Sequence, residues 1–128
     1  MMTKVTTYYK YDIDETFDVG DLVSTVPETS LVTRSCTKHY KHQDKLVIGI
    51  CIASTEKTVD VINGGMVDVN VTGLICVGDE LTTSDVAGKA RAIKYFNDEK
   101  RIFDIRNIGK VVGLYNDYSK AKVLLDIE

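Results

Sequence analysis

The sequence repeats itself. Val19-Gly20-Asp21-Leu22-Val23 returns as Val77-Gly78-Asp79-Glu80-Leu81, and each copy is followed by a glycine beside a branched apolar residue, in Val47-Ile48-Gly49-Ile50-Cys51 and then in Asn107-Ile108-Gly109-Lys110-Val111. The spacings from Gly20 to Gly49 and from Gly78 to Gly109 are 29 and 31 residues. In each copy a Gly-Asp pair ends a turn and the chain enters a strand. A polar turn and a strand with basic residues follow, and a buried strand carrying the Ile-Gly step comes last. Glycine inside a buried strand marks a bulge or a close backbone approach at a corner. Two such units within 128 residues predict an all-β chain, a small barrel or two-sheet sandwich with an internal duplication. The repeat-like halves run from about 17 to 53 and from about 75 to 114 within a single β domain spanning 1–128.

Local signals agree with an all-β reading. One proline and nine glycines punctuate short runs rich in Val and Ile, the pattern of many short strands. The spacing predicts strands at Val5–Tyr11, Leu22–Ser24, Leu31–Thr33, Leu46–Ala53, Glu80–Thr82, Lys89–Ile93, Lys110–Leu114 and Lys122–Ile127, with a polar loop over Lys38–Lys45. Between the halves, 58–71 reads as a β-hairpin. Asn63-Gly64 fits a type I′ turn, in which both central residues take positive φ. After it Val67, Val69 and Val71 alternate with Asp68 and Asn70, a strand with one buried and one polar face. Tyr95–Arg106 fits either a short helix or an extended excursion of a hairpin, and the excursion is the reading favoured here.

Composition excludes several classes. A formal net charge of -3 lacks the electropositive footprint of a nucleic-acid binder. No apolar run approaches the roughly 20 residues that span a bilayer, so no membrane partner is expected. The N-terminal run MMTKVTTYYKYDIDE lacks the apolar centre of a signal peptide, which points to synthesis in the cytoplasm. Cys36, Cys51 and Cys76 are an odd number and cannot close an intrachain disulfide framework, so a reducing compartment fits.

Few residues suggest chemistry. Cys36, His39 and His42 form a C-x-x-H-x-x-H run that offers three zinc ligands, but a structural site needs four, and no fourth is placed by sequence. A nucleophilic Cys36 with His39 or His42 as base lacks an orienting third group and an oxyanion hole. Asp12, Asp14, Glu15 and Asp18 are hard oxygen ligands without the ordered spacing of a calcium loop, and read as a solvated acidic turn. No cofactor and no catalytic residue is assigned. Tyr8, Tyr9 and Tyr11 are the interface candidates, because tyrosine couples a large apolar body to a polar tip. Gly20, Asp21, Asn63, Gly64, Gly78 and Asp79 are the structural turn residues.

The order of motifs carries a resemblance. Tyr8-Tyr9, Gly20-Asp21, Arg34-Ser35 with Thr37-Lys38 and Tyr40, Gly49, Gly65, Val71-Thr72-Gly73, Gly78-Asp79, Ser84, Gly88 and Gly109 span nearly the whole chain. Together they resemble a β-rich domain of bacteriophage and prophage tail-fibre and tail-spike proteins, and are also similar to small head-decoration β-proteins of phages. Cys36 interrupts the usual R-S-T-K run, and Tyr95–Arg106 exceeds the usual linker before I-G-K. The resemblance implies a non-catalytic structural component of a virion. It would be a homo-oligomer, trimeric by analogy, that contacts other virion proteins and is assembled into a phage or phage-like particle. It leaves two alternatives open, a self-cleaving assembly-chaperone domain of a tail spike and a ligand-binding module. Such domains normally follow a long fibrous segment, so the chain would be a stand-alone small virion protein or an excised piece.

Overall fold

The computed structural model describes residues 8–38, 43–94 and 106–127. Among the described residues ten strands form two antiparallel five-stranded sheets: β1 (Tyr8–Asp12), β2 (Leu22–Thr25), β3 (Val32–Arg34), β4 (Val47–Ser54), β5 (Thr58–Ile62), β6 (Gly64–Asn70), β7 (Glu80–Thr83), β8 (Ala90–Ala92), β9 (Gly109–Leu114) and β10 (Lys120–Asp126). The polar segment before β4 contributes a 3₁₀ turn at Gln43–Leu46. The first sheet has the order β1-β5-β4-β2-β3 and the second β6-β10-β9-β7-β8. Adding five to every strand of the first order yields the second, so the sheets share one topology. They do not close into a barrel, and of the two expected architectures the molecule is the two-sheet sandwich.

The duplication extends to single hydrogen bonds. Asp21 N–H donates to Asp18 O and Asp79 N–H to Cys76 O, both at 3.0 Å, while Gly20 N–H reaches Cys51 O and Gly78 N–H reaches Val111 O, both at 2.8 Å. Gly20 and Gly78 sit at φ 96° and 94°, which only glycine adopts without strain. The Ile-Gly steps match as closely. A Cβ on Gly49 would run into the Ile62 carbonyl and the Val61 side chain, and one on Gly109 would lie 2.8 Å from the Leu124 carbonyl and 2.7 Å from Val123 Cγ1. The ladder shifts register between Val23 and Ser24, beside Gly49.

The hairpin expected at 58–71 is not there. β5 pairs with β1 and β4, β6 pairs with β10, and the chain passes from one sheet to the other at Asn63. Positive φ falls on Gly65, at 88°, and on neither Asn63 nor Gly64, so the dipeptide makes no type I′ turn. Longer-range partners outcompete the local one: β5 is held on both edges, and Ile127 N–H bonds Asn63 O at 3.0 Å. The two strands end one repeat and begin the next, and the sheets draw on residues 8–62 and 64–126.

Two apolar clusters fill the molecule. The smaller gathers Phe17, Val23, Val32, Cys51, Val59 and Val61 from the first sheet and its connections. The larger takes Val69, Leu81, Val111, Val123 and their neighbours from the second sheet, and Leu22, Val47 and Ile50 from the first. Leu22 registers with Ile50, and the same positions in the second sheet are Glu80 and Lys110, also in register. One copy of the repeat thus turns that row into the other sheet, and the second copy turns it to water. Burying two such aliphatic side chains contributes about 3–6 kcal/mol before entropy is subtracted.

Gly49→Ala is expected to destabilise the fold by about 1–3 kcal/mol or more, because rigid backbone lies in the way of the methyl. Gly113→Ala, whose Cβ meets nothing nearer than 3.6 Å, is expected to be tolerated. Urea unfolding midpoints of the two variants measure the difference.

Candidate functional site

The most organised polar site lies where the first Gly-Asp turn meets the second repeat. Asp21 is 3% exposed. Its Oδ2 accepts the Asp18 N–H at 2.9 Å and lies 3.8 Å from Arg34 Nε, and its Oδ1 accepts Asn70 Nδ2 at 2.9 Å. Asn70 Nδ2 also reaches Val19 O at 3.1 Å. Backbone bonds cross the same seam: Leu22 N–H to Gly88 O, Gly88 N–H to Ser35 O, Asn70 N–H to Gly20 O and Thr37 N–H to Ser84 O, all within 2.8–2.9 Å. Gly88, at φ 78°, presses against the carboxylate so closely that a Cβ would sit 2.6 Å from Oδ1.

Burial pushes the Asp21 carboxyl above its ordinary value, while the Asp18 N–H, the Asn70 amide and the Arg34 charge pull it back. Burial dominates because desolvation penalises the ionised form and, among the described residues, Arg34 is the one opposite charge acting on it. The equivalent Asp79 accepts the Cys76 N–H at 2.8 Å but lies in a more open turn, 3.1 Å from Lys94 Nζ. The two turns share their geometry, and only the first is buried against the other sheet.

The remaining candidates are dispersed. Tyr8, Tyr9 and Tyr11 lie on the edge strand β1, with Tyr9 56% exposed and its ring centroid 6.2 Å from that of Tyr11. Cys36 is buried with its Sγ 3.4 Å from Asp85 O, which suits a small core residue more than a nucleophile. His39 and His42 lie outside the described residues, as do residues 95–105 of the excursion expected at Tyr95–Arg106. Cys51 is buried, and burial, aided by the Asp21 charge, lifts its thiol to about 11. Asp14 and Glu15 line an open cleft of about 490 Å³ with Phe17, Ser54, Thr55 and Glu56, and Glu15 accepts the Arg34 N–H at 2.9 Å. Among the described residues no group of three or more His, Cys, Asp or Glu side chains is placed to hold a metal ion.

Asn70 is the residue that sequence reasoning misplaced. Its alternation with Val69 and Val71 puts it on the polar face, yet the structure buries it against Asp21. Nothing in VDVNVTG distinguishes an asparagine facing water from one facing a carboxylate 49 positions away. The same holds for Gly88, which a turn alone would explain.

No protein-family model and no curated protein matches the sequence. Among solved structures, the fold is similar to the N base of the head fibre protein gp8.5 in bacteriophage phi29, with a TM-score of 0.54 and 12% identity over 95% of each chain. At that identity the likeness is one of fold.

Asn70→Ala is expected to cost about 1–3 kcal/mol, since it strips a buried carboxylate of a hydrogen-bond donor. The pH dependence has a definite sign. A carboxyl raised on folding favours the folded state most when protonated, so its contribution falls as pH climbs from the ordinary carboxylate range through the raised value. In paired denaturant titrations, wild type should lose stability relative to Asp21→Asn over that window. A difference independent of pH would mean that the carboxyl titrates alike in both states.

Proposed function

We propose that this chain is a structural component of a bacteriophage or prophage particle, a fibre or decoration protein that works through packed surfaces rather than catalysis. The observation that carries the reading is the likeness, over 95% of both chains, to a protein named as the base of a phage head fibre. The ordered motifs from Tyr8-Tyr9 to Gly109 support it independently, because their order resembles that of phage fibre and decoration proteins. The duplicated sandwich suits the role: each sheet ends in two edge strands among the described residues, and edges are stable in solution only when paired or protected. We place the chain in a homo-oligomer, a trimer by the family resemblance, with the Tyr8, Tyr9 and Tyr11 edge at an interface and other virion proteins as neighbours.

The head-fibre neighbour favours the head over the tail as the point of attachment. The described residues contain no helix long and apolar enough to cross a membrane.

The test is physical association with particles. Particles induced from cells carrying the gene, purified on a density gradient and digested for mass spectrometry, are expected to contain this chain at a stoichiometry comparable to other minor structural proteins. Its complete absence from intact particles, with the chain present in the lysate, would overturn the reading.

A further inference from the structure

We infer that the outer edge of β1, unpaired among the described residues, in one copy pairs antiparallel with the outer edge of β6, likewise unpaired among them, in a second copy, Lys10 opposite Asp68, so that copies join head to tail. This rests on the homo-oligomer reading above and names the strands that meet.

β1 and β6 hold equivalent places, each at the end of its sheet. Backbone parity tells which residues face outward. Ile13 N–H bonds Lys57 O at 2.9 Å, so alternate residues Tyr11 and Tyr9 turn their backbone groups to β5, while Lys10 and Asp12 turn theirs to the open edge. On β6, Asn70 N–H leaves its sheet for Gly20 O at 2.9 Å, so Asp68 and Met66 point outward as well. Lys10 opposite Asp68 is therefore a hydrogen-bonded pair, with Asp12 opposite Met66 as the next. Gly20 already occupies the edge at Asn70 and ends the ladder there, and of the registers that remain, Asp12 opposite Asp68 would set two carboxylates face to face.

Charge selects the partner. Lys10 registers with Asp60 inside its sheet, 3.7 Å apart, and at the equivalent position Asp68 registers with Lys122. Joining the edges builds one cross-strand row of alternating sign: Asp60, Lys10, Asp68, Lys122. Pairing β1 with β1 about Lys10 sets two lysines opposite each other, and pairing β6 with β6 about Asp68 sets two carboxylates opposite each other, both unfavourable. Tyr115 Oη donates to Asp68 Oδ1 at 2.6 Å and holds the carboxylate at the edge. The register sets half-buried Tyr11 opposite half-buried Val67, and it brings Tyr9 and Met66, each 56% exposed, to the joint. A head-to-tail contact of this kind closes into a ring when its rotation permits.

Disulfide trapping tests it. In a Cys76→Ser background, which removes the exposed native thiol, Lys10→Cys and Asp68→Cys variants are purified separately, checked for native circular dichroism, mixed and mildly oxidised. The expected result is a disulfide-linked dimer in the mixture and none in either variant alone, because a hydrogen-bonded antiparallel pair places its Cα atoms about 5.5 Å apart, within disulfide reach. A chain carrying both cysteines should link into a closed oligomer. Dimers formed by one variant alone would overturn head-to-tail pairing in favour of a twofold contact. Light scattering on unoxidised wild type separates the two levels. A monomer well above micromolar concentration overturns the homo-oligomer reading together with this pairing. A stable oligomer without the Lys10–Asp68 link overturns this pairing and leaves that reading standing.

Discussion

The buried Asp21 carboxylate is the joint on which the arrangement of the two sheets depends. An ionised carboxylate out of water is costly unless its oxygens are bonded, and here they are bonded from both repeats, by the Asp18 N–H of its own unit and the Asn70 amide of the other, with the Arg34 charge 3.8 Å away. The backbone around it is committed in the same way, since the Gly20 carbonyl, the Leu22 N–H and both backbone groups of Gly88 bond from one repeat to the other. Sliding one sheet over the other would strand the charge. Apolar contact through Leu22, Val47 and Ile50 supplies attraction at this seam, and Asp21 supplies its direction. Non-directional burial alone does not choose among neighbouring registers.

A symmetric duplication would have repeated the joint, and this one does not. Asp79 keeps the turn but faces Lys94 in a more open setting. Glu80 and Lys110 stand where Leu22 and Ile50 stand in the first copy. The buried row has become a charged one, which keeps the outer face of the second sheet in water. Met66 and Leu124 remain exposed on that face, Leu124 at 50%. The same divergence gives the two edge strands opposite charges at equivalent positions, Lys10 on β1 and Asp68 on β6. Unlike edges of this kind disfavour pairing of like with like, because identical charges would stand opposite each other.

Strand positions were legible where the sequence carries its own periodicity. Val59 and Val61, Val69 and Val71, and Ala121 and Val123 alternate with polar residues, and each pair is buried. The Gly-Asp turns were legible because only glycine suits φ near 95° and because the pattern occurs twice. Asn63-Gly64 misled. The dipeptide is a strong local hairpin signal, but β5 gains more from ladders to β1 and β4 than from one to β6. Asn70 misled for a related reason: a polar residue on an alternating strand looks solvent-facing until its partner is known. Tertiary partners decided both cases.

Residue order by itself determined the class, the repeat and the strands, because these follow from short-range chemistry: two-residue alternation, glycine's tolerance of positive φ and the turn-forming carboxylate after it. It also determined that Leu22 and Ile50 are apolar where Glu80 and Lys110 are charged. What only the tertiary structure decided is how the copies are used. Which strand pairs with which, which aspartate is buried and which open, and which edges stay unpaired depend on contacts between residues as far apart as Asp21 and Asn70. Such contacts leave no periodic trace in the sequence, because each partner's residue type is locally consistent with a surface turn. Packing makes one of two near-identical turns a core element and leaves the other at the surface.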